Sequence, residues 1–375
     1  MRGRTRIAYL VHDLNDAAVA RRILMLRAGG AEVTVAGFRR DERVPESVAG
    51  ARAVDLGRTG DARLAQRAAM VAANTLRPAR LRAAVAGADV VVARNLEMLA
   101  LAASARRVVP GARLVYECLD IHRMLLGRSL PARAVQAIEA RLLRSVDLLL
   151  VSSPAFLREY FDGRSTLTAP ALLVENKLLA LGDAPPAPSE SPPGPPWTIG
   201  WFGNLRCRRT FDVLSELAQK CDGRVRVLIA GRPSPAVFAD LPAMVAATPH
   251  LDYHGPFAPD DLPALYARCH FAWAIDWFEE GLNSSWLLPN RLYEASGYGA
   301  VPIALAGVET GRWLAGHRAG LLIEGDPRSE LAELFERLDM PAYLRLRDAV
   351  AAIPSDALVA TTADCESLVD TVAGR

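Results

Sequence analysis

Cysteine is sparse and scattered in this chain. The five residues Cys118, Cys207, Cys221, Cys269 and Cys365 form no Cys-x-x-Cys pair, so neither a disulfide framework nor a zinc site is indicated. Net charge is almost absent, at +2 from 44 basic and 42 acidic residues, which argues against nucleic-acid binding as the main activity. No apolar run is long enough to cross a bilayer. The run Ile7–Val11 is cut short by His12 and Asp13, too early for a signal peptide. These features lead us to expect a cytoplasmic protein, at most peripheral to the inner face of the membrane. The chain also lacks an Asp-x-Asp pair, a Gly-x-Gly-x-x-Gly turn after any strand, a Gly-x-Ser-x-Gly elbow and a Walker loop. It has no internal repeat of solenoid type.

What the chain does have is length and apolar content. Its 375 residues, 51% of them hydrophobic, suffice for two or three domains with a large core. Arginine greatly outnumbers lysine, which suits anion recognition and equally suits a GC-rich coding sequence. Apolar strand-like runs alternate with helical patterns. Ile7–Val11, a helix over Ala17–Ala28 closed by Gly29-Gly30, and Glu32–Ala36 make a βαβ unit. Asp89–Ala93, Arg113–Tyr116 and Asp147–Val151 continue the series. Nearly continuous apolar strands of this kind belong to parallel sheets covered on both faces.

Gly182 to Pro196 holds seven prolines and reads as a linker. A second series follows: strands at Trp197–Phe202, Val225–Ala230, Leu251–His254, Phe271–Ile275 and Val301–Leu305, with helices from Phe211 and over Asp260–Cys269. The expected fold is α/β, two Rossmann-like domains whose parallel sheets face an interdomain cleft. The expected boundaries are 1–180, closed by a C-terminal helix at about 345–375, then a linker at 181–196, then 197–344.

Ligands in open α/β sheets lie beyond the C-terminal strand ends, and polar residues collect there in this sequence. The richest stretch is Leu288–Pro302. It reads as a proline-started helix with Asn290, Arg291 and Glu294 near its beginning. A helix N-terminus with Arg291 can hold a phosphate, and Glu294 one turn on can accept sugar hydroxyls. A phosphate site beside a hydroxyl site is what a sugar nucleotide requires. Gly203, Asn204, Arg206 and Arg209 follow the first strand of the second series, with arginine forks suited to a diphosphate. Gly231 and His254 end two later strands, and Asn283 and Ser285, with Glu279 and Glu280, sit in a polar loop that can reach a sugar. In the first half, Asp120 and His122 are candidate bases for deprotonating an attacking hydroxyl, or else they cap a helix or pair with Arg123. Asp13, Asn95 and Glu117 follow strands that can line an acceptor side. Asp16 reads as an N-cap. No metal ligands are identified, so arginine and helix dipole are expected to neutralise the leaving group.

The pattern resembles the GT-B glycosyltransferases, family 4-like, of the bacterial succinoglycan exopolysaccharide type. The resemblance is carried by His12-Asp13-Leu14, Ala93-Arg94-Asn95, Tyr116 to His122, Ser152 to Phe156, Glu175-Asn176-Lys177, Gly203-Asn204-Leu205, Tyr253-His254-Gly255, Leu262 to Tyr266 and Asn290 to Glu294. It implies a transferase that moves a sugar from a nucleotide-diphosphate donor, expected to be a UDP-sugar, to a glycan or polyprenyl-linked acceptor without a metal cofactor. It further implies that Glu294 holds the ribose, that Arg209 and Arg291 hold the diphosphate, and that a helix within 341–375 braces the N-terminal domain. The family's second glutamate falls at Trp286 here. A sugar-nucleotide epimerase and a non-catalytic partner subunit are the alternatives. A basic face through Arg63, Arg67, Arg77, Arg80 and Arg82 is the candidate membrane contact.

Overall fold

A computed structural model describes residues 3–40, 42–60, 64–76, 78–163, 166–182, 193–278, 280–281 and 283–375. The chain divides into two compact units, Met1–Glu175 with Ala360–Arg375, and Asn176–Val359. Most of the proline-rich segment, residues 183–192, lies outside the described residues.

The first unit is built on β1 (Arg6–Val11), β2 (Glu32–Arg39), β3 (Ser47–Val48), β4 (Ala51–Arg58), β5 (Val90–Arg94), β6 (Arg113–Cys118), β7 (Leu148–Val151) and β8 (Ala171–Leu173). They form one sheet in the order β3-β4-β2-β1-β5-β6-β7-β8, parallel except for the β3–β4 pair. The strand order reverses between β1 and β5, where chain crossovers leave to opposite faces. β5 and β7 are buried along their whole length, as their unbroken Val and Leu runs require. β4 went unread in the sequence because Arg52, Asp55 and Arg58 interrupt its apolar pattern.

The helix Ala17–Ala28 begins at Asp16, whose carboxylate accepts from the Ala18 amide at 2.9 Å. The helix Thr362–Ala373 packs against it. At Gly29 a Cβ would lie 2.1 Å from the Cys365 carbonyl oxygen, so only glycine permits this approach. The region of the C-terminal helix expected at about 345–375 holds three helices, Met340–Ala351, Ser355–Leu358 and Thr362–Ala373, with Pro354, which has no amide donor, between the first two. The basic face expected through Arg63, Arg67, Arg77, Arg80 and Arg82 is described only in part. Arg63 and Arg77 lie outside the described residues, and Arg80 donates to the Asp55 carbonyl at 3.2 Å.

The second unit opens with β9 (Leu178–Ala180). It is built on β10 (Trp197–Leu205), β11 (Val225–Pro233), β12 (Leu251–Gly255), β13 (Phe271–Trp273), β14 (Val301–Leu305) and β15 (Leu321–Ile323). Its six-stranded sheet is fully parallel, in the order β12-β11-β10-β13-β14-β15, and reverses between β10 and β13. Trp197, Phe271 and Tyr343 meet in its core with ring centroids 5.2–6.4 Å apart.

The strongest polar constraint in the first unit is Glu117 at the end of β6, with no solvent exposure. Arg22 donates to Oε1 at 2.6 Å, Arg94 to Oε2 at 2.9 Å, and the Tyr9 hydroxyl also donates to Oε2. Burial pushes the Glu117 carboxyl up, but the Arg94 and Arg22 charges and the hydrogen bonds outweigh it, leaving the group at about 2. Burial, and next to it the carboxylate, push the Tyr9 phenol well up despite its arginine neighbours, so it stays a donor. Glu117→Gln leaves two buried guanidinium groups under-compensated and is expected to cost roughly 3–5 kcal/mol in urea unfolding. The native carboxyl lies below its unfolded value of about 4.3, so its contribution is complete above that pH and is lost as pH falls toward the folded value. The stability gap between wild type and Glu117→Gln should therefore narrow as pH falls below about 5; a gap independent of pH would contradict the assignment.

Candidate active site

In the second unit, residues predicted for donor binding gather where the strand order reverses, the position at which parallel sheets open to a ligand. β10 does not end at Phe202 as expected. It runs on to Leu205, with Gly203 opposite Gly231 and Asn204 opposite Arg232. Gly231, read as a strand-ending glycine, thus lies inside the β10–β11 ladder. Its φ is +136°, and a Cβ there would lie 1.8 Å from the Gly203 carbonyl oxygen. The absence of a side chain there permits this close strand packing. Tyr253 donates to the Gly231 carbonyl at 2.8 Å and braces the same point.

The helix expected from Phe211 starts earlier, at Arg208, because the Cys207 sulfur accepts from the Thr210 amide at 3.4 Å. Arg209 therefore stands in the first helical turn. It donates to both oxygens of Glu280 at 2.8 and 2.7 Å, and its guanidinium sits 4.3 Å from the Trp277 ring centroid. Arg206, just after β10, covers the Phe278 ring at 4.0 Å. Across the reversal, Asp276 follows β13. Its Oδ2 lies 3.3 Å from Arg291 and 3.8 Å from Arg206. Three arginines and two carboxylates thus share one face of the sheet end.

Arg291 and Glu294 come from the helix Asn290–Gly297, which has Pro289 before it and Asn290 exposed in its first turn. Glu294 accepts from the Tyr266 hydroxyl at 3.3 Å, and Tyr266 stacks on Tyr298 at 5.6 Å. Burial, then the Glu294 charge, push the Tyr266 phenol well up and keep it a donor. A narrow crevice beside Asp276 is lined by Ser284, Pro289 and Thr310. Asn283, expected to reach a sugar, is instead buried in the turn Asn283–Ser285, and Ser285 does not line the crevice. His254 is exposed on the edge strand β12. Glu279 lies outside the described residues. Asp276, Trp277, Phe278 and Tyr266 were not singled out in the sequence. Asp276 was detectable by the same rule that selected Gly203, since it follows a strand.

In the first unit the expectations need more correction. Glu117 cannot meet an acceptor, because it is buried and committed to Arg22, Arg94 and Tyr9. Asp13 is buried, paired with Arg40 at 2.9 Å, and accepts from the Asn15 amide at 3.0 Å. Both are structural groups. His122 caps the short helix Arg123–Leu126, with Nδ1 accepting from the Met124 amide at 3.2 Å. Asp120 is exposed beyond the end of β6. Asn95 follows β5 in an unusual backbone conformation, φ +69°, with a buried Oδ1 that has no hydrogen-bond partner among the described residues. Among the described residues no group of three or more His, Cys, Asp or Glu is arranged to hold a metal ion.

No protein-family model matches the chain. Among solved structures it is similar to sucrose-phosphate synthase from Thermosynechococcus elongatus, with a TM-score of 0.73 at 14% identity over 98% of each chain. It is also similar to HepE of Anabaena in complex with UDP-glucose, with a TM-score of 0.70 at 15% identity over 99% of this chain and 100% of that one. The fold is therefore that of the GT-B glycosyltransferases. Sequence is more specific. The chain is 43% identical over 372 residues to the succinoglycan biosynthesis protein ExoL of Rhizobium meliloti, covering 97% of this chain and 92% of that protein. It belongs to the family of the succinoglycan biosynthesis protein ExoL.

Gly231→Ala should disturb this site without removing any functional group. The added methyl meets backbone, which cannot swing away, and the left-handed φ is strained for alanine. The expected loss is about 2–4 kcal/mol in chemical unfolding. Full native stability in this variant would contradict the glycine packing described.

Proposed function

We propose that this chain transfers a hexosyl group from a uridine diphosphate sugar to a glycan or polyprenyl-linked saccharide in exopolysaccharide synthesis. One observation carries the reading. Arg206, Arg209 and Arg291 gather at the strand reversal of the second sheet, and Glu294 follows Arg291 by one helical turn. The name of ExoL, a succinoglycan biosynthesis protein, and the UDP-glucose held by HepE support the substrate class.

In this reading the second unit binds the donor. The arginines take the diphosphate oxygens with forked donors, and Glu294, oriented by Tyr266, accepts from ribose hydroxyls. An acceptor hydroxyl attacks the anomeric carbon of the sugar. The bond from that carbon to the diphosphate oxygen breaks, its electron pair stays on the leaving UDP, and Asp120 takes the hydroxyl proton. Charge accumulates on the diphosphate as it leaves, and three guanidinium groups neutralise it without calling on a metal. Trp286 stands where the family's second glutamate falls, so donor-sugar contacts pass to the loop before the helix.

The acceptor unit is also proposed to touch the membrane surface at the cytoplasmic side. The helix Leu130–Leu143 presents Leu130, Arg133, Ile138 and Arg141 on one exposed stripe, with Leu130 80% and Ile138 54% exposed. The only acid between Arg123 and Arg144, Glu139, is buried. Among the described residues no helix is long and apolar enough to cross a membrane.

Arg291→Ala and Glu294→Ala should each weaken UDP binding about tenfold or more by calorimetry. Asp120→Asn should keep UDP affinity and lose at least about 100-fold in transfer rate. Undiminished UDP affinity in both donor variants would refute the donor site. Sedimentation with phosphatidylglycerol vesicles should retain the wild-type chain and lose Leu130→Glu/Ile138→Glu. Equal retention of both would remove the membrane contact from this helix.

A further inference from the structure

We infer that the tripeptide Asp276-Trp277-Phe278 is a clamp that sets the three diphosphate-binding arginines; this rests on the donor-site reading above. The three residues are consecutive, yet they reach arginines from two separate stretches of chain. Asp276 Oδ2 bridges Arg291 at 3.3 Å and Arg206 at 3.8 Å. Its Oδ1 accepts from the Phe278 amide at 2.8 Å, which closes the tripeptide into a turn and fixes the carboxylate. The turn lays Phe278 against Arg206, 4.0 Å from guanidinium carbon to ring centroid, and Trp277 against Arg209 at 4.3 Å.

The clamp is anchored in the core. Trp277 meets Trp273, the last residue of β13, edge to face at 5.7 Å, and Trp273 is fully buried. The sheet therefore sets the ring, and the ring and the Glu280 carboxylate together hold Arg209. Phe278 is 39% exposed, so burial does not account for a large apolar side chain there. Its ring instead forms a plate under the Arg206 guanidinium. An arginine on a flexible stem loses conformational freedom when it takes a phosphate. A ring that already holds the planar group reduces that loss and leaves its N–H edge open. Asp276 adds one negative charge between two guanidinium groups and limits their mutual repulsion. The three residues touch the arginines, not the reacting atoms, so they are positioning residues.

Calorimetry on the full chain with UDP and UMP tests the clamp, because the arginines act on the diphosphate and UMP keeps only one of its two phosphates. Phe278→Ala removes an exposed ring without altering charge, and its melting temperature should stay near wild type. UDP affinity should fall about threefold to tenfold, UMP affinity should stay within about twofold, and Phe278→Tyr should restore UDP binding. Trp277→Leu should shift the UDP to UMP ratio in the same direction, with Trp277→Phe restoring it. Equal loss of UDP and UMP in Phe278→Ala would overturn the clamp, since the ring would then serve the part of the nucleotide that the two share. If Phe278→Ala and Trp277→Leu leave UDP affinity unchanged while Arg291→Ala lowers it, the clamp is wrong and the donor site stands. If Arg291→Ala also has no effect, the donor site falls and the clamp with it.

Discussion

A carboxylate just beyond or at the end of a parallel strand, holding two arginines, occurs in both halves of this chain. Glu117 at the end of β6 holds Arg22 and Arg94, and Asp276 after β13 holds Arg206 and Arg291. The chemistry is the same and the burial is not. Glu117 and Arg94 are shut away from water, so the pair can only be structural. Arg206 is 40% exposed at its side chain, so its N–H groups can also serve a ligand. Burial decides whether an ion pair organises a core or presents charge to a substrate.

The strand order explains why such pairs collect where they do. In each sheet the crossovers leave in opposite directions on either side of one central strand, β1 or β10. That leaves the C-terminal strand ends uncovered at one place, and a polar group there need not be buried. The Gly203–Gly231 contact keeps β10 and β11 close up to the point where Arg206 leaves the sheet. The helix carrying Arg291 and Glu294 returns to the same face from the other side of the reversal. The diphosphate and ribose contacts proposed here are thus contributed by segments far apart in sequence.

Likeness at 14% identity to sucrose-phosphate synthase shows how the backbone is arranged and says little about side chains. The 43% identity to ExoL reaches nearly the whole chain and ties it to one family. Within that frame the departures are informative. Tryptophan occupies position 286, where the wider resemblance expects an acid, and an aromatic pair at 277 and 278 lies under two of the arginines.

Much of the fold was legible in the order of residues. Apolar runs such as Val90–Ala93 and Leu148–Val151 bury on both sides of a sheet, so their character is local and survives without knowledge of neighbours. The helix Ala17–Ala28 was readable because Asp16 and Gly29 bound it chemically. The Leu288–Pro302 pattern likewise yielded its helix and following strand. β4 escaped because charges break its pattern, and the early start of the Arg208 helix escaped because a cysteine caps it. The sequence alone determined most of the strands and helices, and that polar residues gather after strands. It could not say which polar groups reach water. Glu117 and Asp120 stand three positions apart on one segment, yet one is sealed inside an arginine cage and the other is exposed. That difference comes from Arg22 and Arg94, brought in from another helix and another strand, and only the tertiary structure supplies them.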